Sequence, residues 1–358
     1  MKVLIAAGGT GGHIYPGIAV AKEILGRDAD SEVLFVGTSR GLETKIIPEN
    51  GFQLSLIHSS GLKNVGIAGK VKGMMILPTS FLESRKILKE FKPDVVVGAG
   101  GYVTGPMLLM ASLMKFPTLV MDSNAMPGFT NRRLARYIDR AALTFEESIP
   151  FFGKKGTVTG NPVRKEFFDI VERPPVTPFH VLIFGGSQGA RAINNAMIAG
   201  LPFLMQSGLV IEITHQTGEG GLDAVRTGYA EAGCEADIRP YIANMVEEFE
   251  KADIIVCRAG ATTCAEVAAA GRASIMIPLP GAADDHQRKN AEAMQKHGAV
   301  SVILQSDLTG ERLAAKLTEL LHAPNKLAEM STAARKMAKP DAAKATVDII
   351  EELSVVRG

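Results

Sequence analysis

The chain carries one short pattern twice. VLIAAGGTGG begins at Val3, and VLIFGGSQGA begins 178 positions later, at Val181. In each copy the aliphatic run of a strand buried on both faces leads into a glycine-rich turn, and helical spacing of apolar residues follows, as from Pro16 to Leu25. Glycines at such a turn let backbone N–H groups approach a ligand, and the helix N-terminus behind them favours an anion. Two such units half a chain apart predict one architecture used twice.

The remaining apolar runs fit that prediction. EVLFVGT, DVVVGAGG, PTLVMD and RAALTF follow the first unit, and LVIEIT, DIIVCRAG, ASIMIPL and AVSVIL follow the second, with helical stretches between them. Strands alternating with helices imply parallel sheets covered on both faces, so the expected fold class is α/β with two Rossmann-like domains. At 358 residues, 46% of them apolar, the chain can fill two cores. The break is expected after GTVTGNPVR, where Asn161-Pro162 and the proline-rich ERPPVTPFH (172–180) interrupt the pattern. Domains of 1–162 and 163–338 follow, with the helical segment 339–358 packing back on the first.

Other classes are excluded by what is missing. Three cysteines without CxxC spacing argue against a disulfide framework and a zinc cluster, and point to a reducing compartment. The start lacks a basic, then apolar leader, and no run of 18 uncharged apolar residues exists, so neither a signal peptide nor a membrane span is expected. The net charge of +1 conceals +6 over residues 1–162 (19 Lys and Arg, 13 Asp and Glu) and −5 over the rest (20 against 25), so the halves are expected to face different partners. Nucleic acid is not among them.

Three glycine turns stand at corresponding strand ends: GGTGGH (8–13), GAGGYVTGP (98–106) and GGSQGA (185–190). None reads GxGxxG in frame, the strand after the first helix ends without an acidic residue, and no P-loop lysine is present, which disfavours dinucleotide and ATPase chemistry. One glycine turn alone could serve close packing; three together point to a ligand at the carboxyl ends of the strands.

Several side chains near these turns have a chemical and a bland reading. His13 closes the first turn, where imidazole could take a proton from an attacking hydroxyl or simply hydrogen-bond the turn. Glu266 falls in the second turn of the helix in CRAGATTCAEVAAAG, suited to a ribose diol or to ordinary macrodipole compensation. In PLPGAADDHQRKNAEAM, Asp284, His286, Gln287 and Asn290 cluster at a helix start, as sugar-binding amides do and as solvated helix ends also do. The one DxD spelling, Asp28-Ala29-Asp30, lies between the first helix and second strand, the wrong end of the sheet for a metal, so neither metal nor cofactor is expected. A leaving diphosphate would then rest on turn amides, Ser187, a helix dipole and Arg164. Finally, 70–92 combines Val71, Met74, Met75, Phe81 and Leu82 with Lys70, Lys72, Arg85, Lys86 and Lys89, a stripe that could lie on an anionic membrane or pack on its own domain.

GGTGGH, GAGGYVTGP, DSNAMPGFTNR (122–133 with its arginine pair), TGNPVR, GGSQGA, CRAGATTCAEVAAAG and DDHQRKNA occur in this order over nearly the whole chain. This series resembles the MurG family, the bacterial N-acetylglucosaminyltransferases of peptidoglycan synthesis. The resemblance implies a GT-B fold, with two Rossmann-like domains facing each other across a cleft. It implies inverting transfer of GlcNAc from UDP-GlcNAc to the 4-hydroxyl of undecaprenyl-diphosphoryl-muramoyl-pentapeptide, giving the lipid-linked disaccharide precursor of the wall. It also makes 70–92 a membrane-docking patch of a peripheral protein on the cytoplasmic face.

Residue by residue, the resemblance puts His13 in the catalytic position, with Thr10, Gly11 and Gly12 at the donor sugar or diphosphate. Asn124 holds the GlcNAc, in a DSN triplet where the family often shows an EQN-like one. Arg164 and Ser187 meet the diphosphate, Ile242 meets uracil through its backbone, and Ala261, Thr262 and Thr263 line the donor site beside Glu266 on the ribose. Gln287 and His286 read sugar hydroxyls, and Gly100, Gly101 and Tyr102 contact the acceptor diphosphate. The rivals are a UDP-GlcNAc 2-epimerase or another UDP-sugar transferase of the same fold, and a non-enzymatic nucleotide-sugar sensor.

Overall fold

The computed structural model describes residues 1–39, 41–59 and 67–355, and the side chains of 67–75 and of residue 283 lie outside that description. The chain divides into two compact units, Met1–Val163 with Lys339–Gly358, and Arg164–Ala338.

The first unit is built on seven strands: β1 (Lys2–Ala7), β2 (Glu32–Gly37), β3 (Gln53–Leu56), β4 (Val95–Gly100), β5 (Thr118–Asp122), β6 (Arg140–Leu143) and β7 (Gly156–Val158), in the order β3-β2-β1-β4-β5-β6-β7. Every pairing is parallel. Because side chains alternate along a strand, β1 feeds two cores. Val3, Ile5 and Ala7 pack with Ile14, Ile18 and Ile24 of the helix Gly11–Arg27 and with Val347, Ile350 and Leu353 of the helix Ala342–Val355. Leu4 and Ala6 point the other way, to Leu88, Val103, Met107 and Leu108. Burial on both faces is why the strand reads as an unbroken aliphatic run. The late helix is also tied to the first by Arg27, which pairs with Asp348 at 2.7 Å and Glu351 at 2.8 Å.

The second unit repeats the plan with β8 (Phe179–Phe184), β9 (Ile211–Gln216), β10 (Asp237–Arg239), β11 (Ile254–Cys257), β12 (Ser274–Met276) and β13 (Val300–Val302), again all parallel, in the order β10-β9-β8-β11-β12-β13. Val181 and Ile183 of β8 pack with Ile193, Met197, Leu201 and Leu204 of the helix Arg191–Gln206 and with Leu313 and Leu317 of the helix Gly310–Leu321. In both sheets the first strand in sequence lies centrally, with the chain winding outward in opposite directions from it. Such a reversal leaves a crevice at the carboxyl ends, beside β1 and β4 in one unit and β8 and β11 in the other.

Candidate active site

In the first unit the crevice is filled by two glycine turns pressed together. The N–H of Gly8 donates to the carbonyl of Gly100 at 3.2 Å, and a Cβ on Gly101 would come within 2.8 Å of the Gly8 carbonyl carbon. His13, the third residue of its helix, lies in this contact: its Nδ1 is 3.2 Å from the Gly8 carbonyl oxygen, and a Cβ on Gly100 would stand 2.6 Å from its ring Cγ. A carbonyl can only accept, so this bond assigns the proton to Nδ1.

The next residue of the turn is held by a group that the motifs did not reveal. Glu43, wholly buried at the start of the helix Glu43–Glu49, accepts from the N–H of Gly9 at 2.9 Å and from the N–H and hydroxyl of Thr38 at 2.9 and 2.8 Å. Burial pushes this carboxyl up, but the hydrogen bonds of Thr38 and Gly9 pull harder, and it stays below the usual carboxylate range. The N–H of Leu42 closes on the Gly9 carbonyl at 3.4 Å. The four backbone polar groups of Gly8 and Gly9 are thus all engaged by protein, so an anion at this end meets the amides of the helix start that follows rather than these two.

Elsewhere on this unit, Asn124 sits in a loop organised by the buried Asp122 at the end of β5. Asp122 accepts from the N–H groups of Asn124 (3.0 Å) and Gly128 (3.3 Å) and from the side-chain amide of Asn131 (2.8 Å). Tyr102 is exposed, and its carbonyl takes the hydroxyl of Ser59 at 2.8 Å. Of the 70–92 stripe, Phe81 is half-buried while Leu82, Arg85, Lys86 and Lys89 are exposed on the helix Ile67–Phe91; the side chains of Lys70, Val71, Lys72, Met74 and Met75 lie outside the described residues. Asp28, of the DxD spelling, is spent on the Ser31 hydroxyl at 2.8 Å and the chain's amino terminus at 3.5 Å.

In the second unit the turns after β8 and β9 interlock, with Gly189 and Gly218 at positive φ and each too close to the other's backbone for a side chain. Ser187 is exposed on the first of these turns. Gln216, at the end of β9 and buried, joins two of the expected ligand contacts: its amide donates to the Gly186 carbonyl at 2.9 Å and accepts from the Ile242 N–H at 2.8 Å. The Ile242 N–H is therefore engaged within the protein. Behind it, His215 accepts from the Tyr229 hydroxyl at 3.0 Å and donates through Nε2 to Asn194 Oδ1 at 3.1 Å, and the Asn194 amide donates to the Thr217 carbonyl at 3.0 Å. Burial pushes His215 down to about 4, so the imidazole is neutral.

Across the crevice, Gly260 opens the helix Ala261–Ala270, whose first turn carries Ala261, Thr262 and Thr263. Glu266 follows on the next turn with 17% of its side chain exposed; burial drives its carboxyl up to about 7, against the pull of Arg164 at 3.9 Å. Arg164 itself lies over the ring of Phe167 at 4.9 Å. The helix His286–Lys296 is stitched to this region by Asn290, whose amide donates to the Ala259 carbonyl at 3.2 Å, and Gln287 accepts from the Leu279 N–H at 3.0 Å, which turns its NH2 outward as a donor. Asp284 and Asp285, just before it, both adopt positive φ. Beneath, Arg258 is buried without a carboxylate partner among the described residues: it donates to the carbonyls of Ile277 (2.9 Å) and Pro278 (3.2 Å) and to Gln305 Oε1 (2.7 Å), and burial lowers its pKa.

His13, Gly100 and Gly101 thus meet at the β1/β4 crevice, and Ser187, Ala261, Thr262, Thr263 and Glu266 lie at the β8/β11 crevice, while Asn124 stands apart at the end of β5. Glu43, Asp122, Gln216 and Arg258 are the supporting groups that sequence reasoning missed. A buried carboxylate-lined helix start, neutral amides and glycine turns form an arrangement suited to a nucleotide sugar.

Comparison with known proteins agrees with this chemistry. Residues 3–143 match the family model "Glycosyltransferase family 28 N-terminal domain" and residues 180–346 match "Glycosyltransferase family 28 C-terminal domain". The chain is 44% identical over 374 aligned residues to a Pelobacter propionicus protein named UDP-N-acetylglucosamine--N-acetylmuramyl-(pentapeptide) pyrophosphoryl-undecaprenol N-acetylglucosamine transferase, covering 98% of this chain and 99% of the relative. Among solved structures it is similar to Acinetobacter baumannii MurG, with TM-score 0.81 and 32% identity over 98% of this chain and 99% of that one. A UDP-GlcNAc 2-epimerase from Neisseria meningitidis, bound to UDP-GlcNAc, shares the fold at TM-score 0.68 and 15% identity, with both chains covered completely.

Proposed function

The chain belongs to glycosyltransferase family 28, and from that membership we propose that it transfers GlcNAc from UDP-GlcNAc to the 4-hydroxyl of undecaprenyl-diphosphoryl-muramoyl-pentapeptide, completing the lipid-linked disaccharide of peptidoglycan. The observation that carries the acceptor as well as the donor is identity of 44% sustained over the full length of a relative named for this reaction. The 2-epimerase shares the architecture at 15% identity, which speaks to fold alone.

In this reading the donor lies on the second unit. The start of the helix Ala261–Ala270 and Ser187 face the diphosphate, Arg164 adds a cation, and the Glu266 carboxylate takes the ribose hydroxyls. Gln287 offers its NH2 to a sugar oxygen, and Ile242, its N–H engaged by Gln216, offers its carbonyl to the imide N–H of uracil. The acceptor hydroxyl attacks the anomeric carbon, its proton passes to Nε2 of His13, and UDP leaves from the opposite face with inversion. Gly100, Gly101 and Tyr102 serve the acceptor.

The protein works as a peripheral enzyme at the cytoplasmic face. No helix among the described residues is long and apolar enough to cross a membrane, and a lipid acceptor requires contact with the bilayer surface. Exposed Leu82, ringed by Arg85, Lys86 and Lys89, has the chemistry for an anionic leaflet.

The test is incubation of purified protein with radiolabelled UDP-GlcNAc and the lipid acceptor in detergent. Label entering the lipid with release of UDP is expected. Saturable UDP-GlcNAc binding without transfer would overturn the acceptor assignment, and conversion to the 2-epimer would favour the epimerase.

A further inference from the structure

The buried carboxylate of Glu43 stands on the far side of the glycine turn from His13, and nothing in the proposed chemistry uses it. Three glycines make room for it, and a fourth bonds to it. A Cβ on Gly8 would lie 2.8 Å from Glu43 Oε1, one on Gly37 2.6 Å from its Cγ, and one on Gly41 2.6 Å from its Cδ, while Gly9 donates to it directly. A charge buried this deeply costs several kcal/mol unless its hydrogen bonds are complete, and here three donors converge on it. A helix start needs no such group, since an exposed carboxylate would satisfy the macrodipole at no desolvation cost.

The path from Glu43 to the imidazole is two residues long. Its Oε2 fixes the Gly9 N–H, Gly9 is covalently joined to Gly8, and the Gly8 carbonyl takes the Nδ1 proton of His13. Gly9 is at φ +91°, a conformation that glycine itself leaves loose, so an external anchor is needed to hold it.

We infer that Glu43 is a positioning residue for the transfer reaction, fixing the Gly8–Gly9 turn and through it the tautomer and orientation of His13. This rests on the proposed role of His13 as base. The anchor is a carboxylate because both of its oxygens must accept, one from Gly9 and one from Thr38; an amide would present an NH2 to one of these N–H groups.

The experiment is a double-mutant cycle with Glu43→Gln and His13→Ala, read as kcat and as the KM for UDP-GlcNAc, alongside 15N chemical shifts of the His13 ring in the Glu43→Gln protein. On the wild-type background Glu43→Gln is expected to lower kcat about tenfold to a hundredfold, the cost of a small misplacement of a reacting group, with donor KM changed less than about twofold. On the His13→Ala background it is expected to lower kcat no further. The Nδ1–H tautomer signature should weaken. Equal losses on both backgrounds, or unchanged ring shifts and kcat, would overturn the inference. If His13→Ala itself retains near-normal turnover, the base assignment fails, a result distinct from either. Should Glu43→Gln not fold, Thr38→Val removes one donor from the same carboxylate, and a smaller kcat loss confined to the His13 background is expected; none would again overturn it.

Discussion

His13 and Gly100 are packed so closely that no side chain other than hydrogen fits between the strand end and the ring: a Cβ on Gly100 would lie 2.6 Å from the imidazole Cγ. Gly100 also sits at φ +128°, a region that side chains rarely adopt. Gly100→Ala is therefore expected to cost about 1–3 kcal/mol of stability through backbone strain and to lower kcat more than tenfold by displacing the ring. UDP affinity, which the proposed function assigns to the second unit, should stay within about twofold by calorimetry. An active Gly100→Ala enzyme would break the link between this contact and the chemistry.

The proposed ribose role of Glu266 would tie donor binding to pH. Its carboxyl, raised to about 7 from 4.5 in the ligand-free protein, would have to ionise to accept from two ribose hydroxyls. UDP binding should tighten as pH rises from 6 to 8 and release a proton near pH 6.5, measurable by calorimetry in buffers of different ionisation enthalpy. For stability the sign is opposite. The native state holds this proton more tightly than the unfolded chain, so the stabilisation present below pH 4.5 is lost as pH rises through about 7, about 3 kcal/mol at most. Glu266→Gln should weaken UDP binding yet make the free protein more stable at pH 8 under urea.

His215 behaves in the other direction. Buried and neutral, with its pKa held at about 4, it contributes stability above pH 6.5 that disappears as pH falls from 6.5 to 4, about 3 kcal/mol from this group. Replacing it with Gln, which titrates nowhere in this window, should flatten the acid limb of the stability profile while lowering its plateau. Equal acid slopes for the two proteins would refute this account.

Arg258 anchors the strand end from which the loop to Gln287 departs. On the proposed donor site, Arg258→Met should weaken UDP-GlcNAc binding several-fold more than UDP binding, because the loop assigned to the sugar loses its support while the helix start at Ala261 does not. Parallel losses for the two ligands would contradict that division.

Leu82, with 67% of its surface exposed, should matter only where a bilayer is present. Leu82→Glu is expected to reduce sedimentation with vesicles rich in anionic phospholipid several-fold and to leave UDP binding unchanged. Unaltered sedimentation would remove this face from the membrane contact.

The strands that could be read in advance and those that could not differ by position in the sheet. Every run named from sequence is a strand, and the three strands without such a run, β3, β7 and β10, are all at sheet edges, short and partly exposed. An edge strand borders solvent on one side and needs no continuous aliphatic sequence, so its signal is weak. The supporting residues of the candidate site escaped for a related reason. Glu43 reads as an ordinary acidic residue in a first helical turn, and only the folding of β2 against β1 brings it to Gly9. Gln216 and Arg258 each follow an apolar run and become informative only once neighbouring strands set Gly186, Ile242 and Pro278 within reach. Glycine turns are legible because the constraint is local; anchors across strands are not.

The helix Ala342–Val355, more than 300 residues downstream of the strand it covers, has a consequence for synthesis. Residues Arg164–Ala338 can complete their core while the chain is still being made, but Val3, Ile5 and Ile18 lack the cover of Val347, Ile350 and Leu353 until residues 347–353 leave the ribosome. The nascent first unit therefore carries an open apolar face for most of its translation, a stretch during which a holding chaperone would have something to bind.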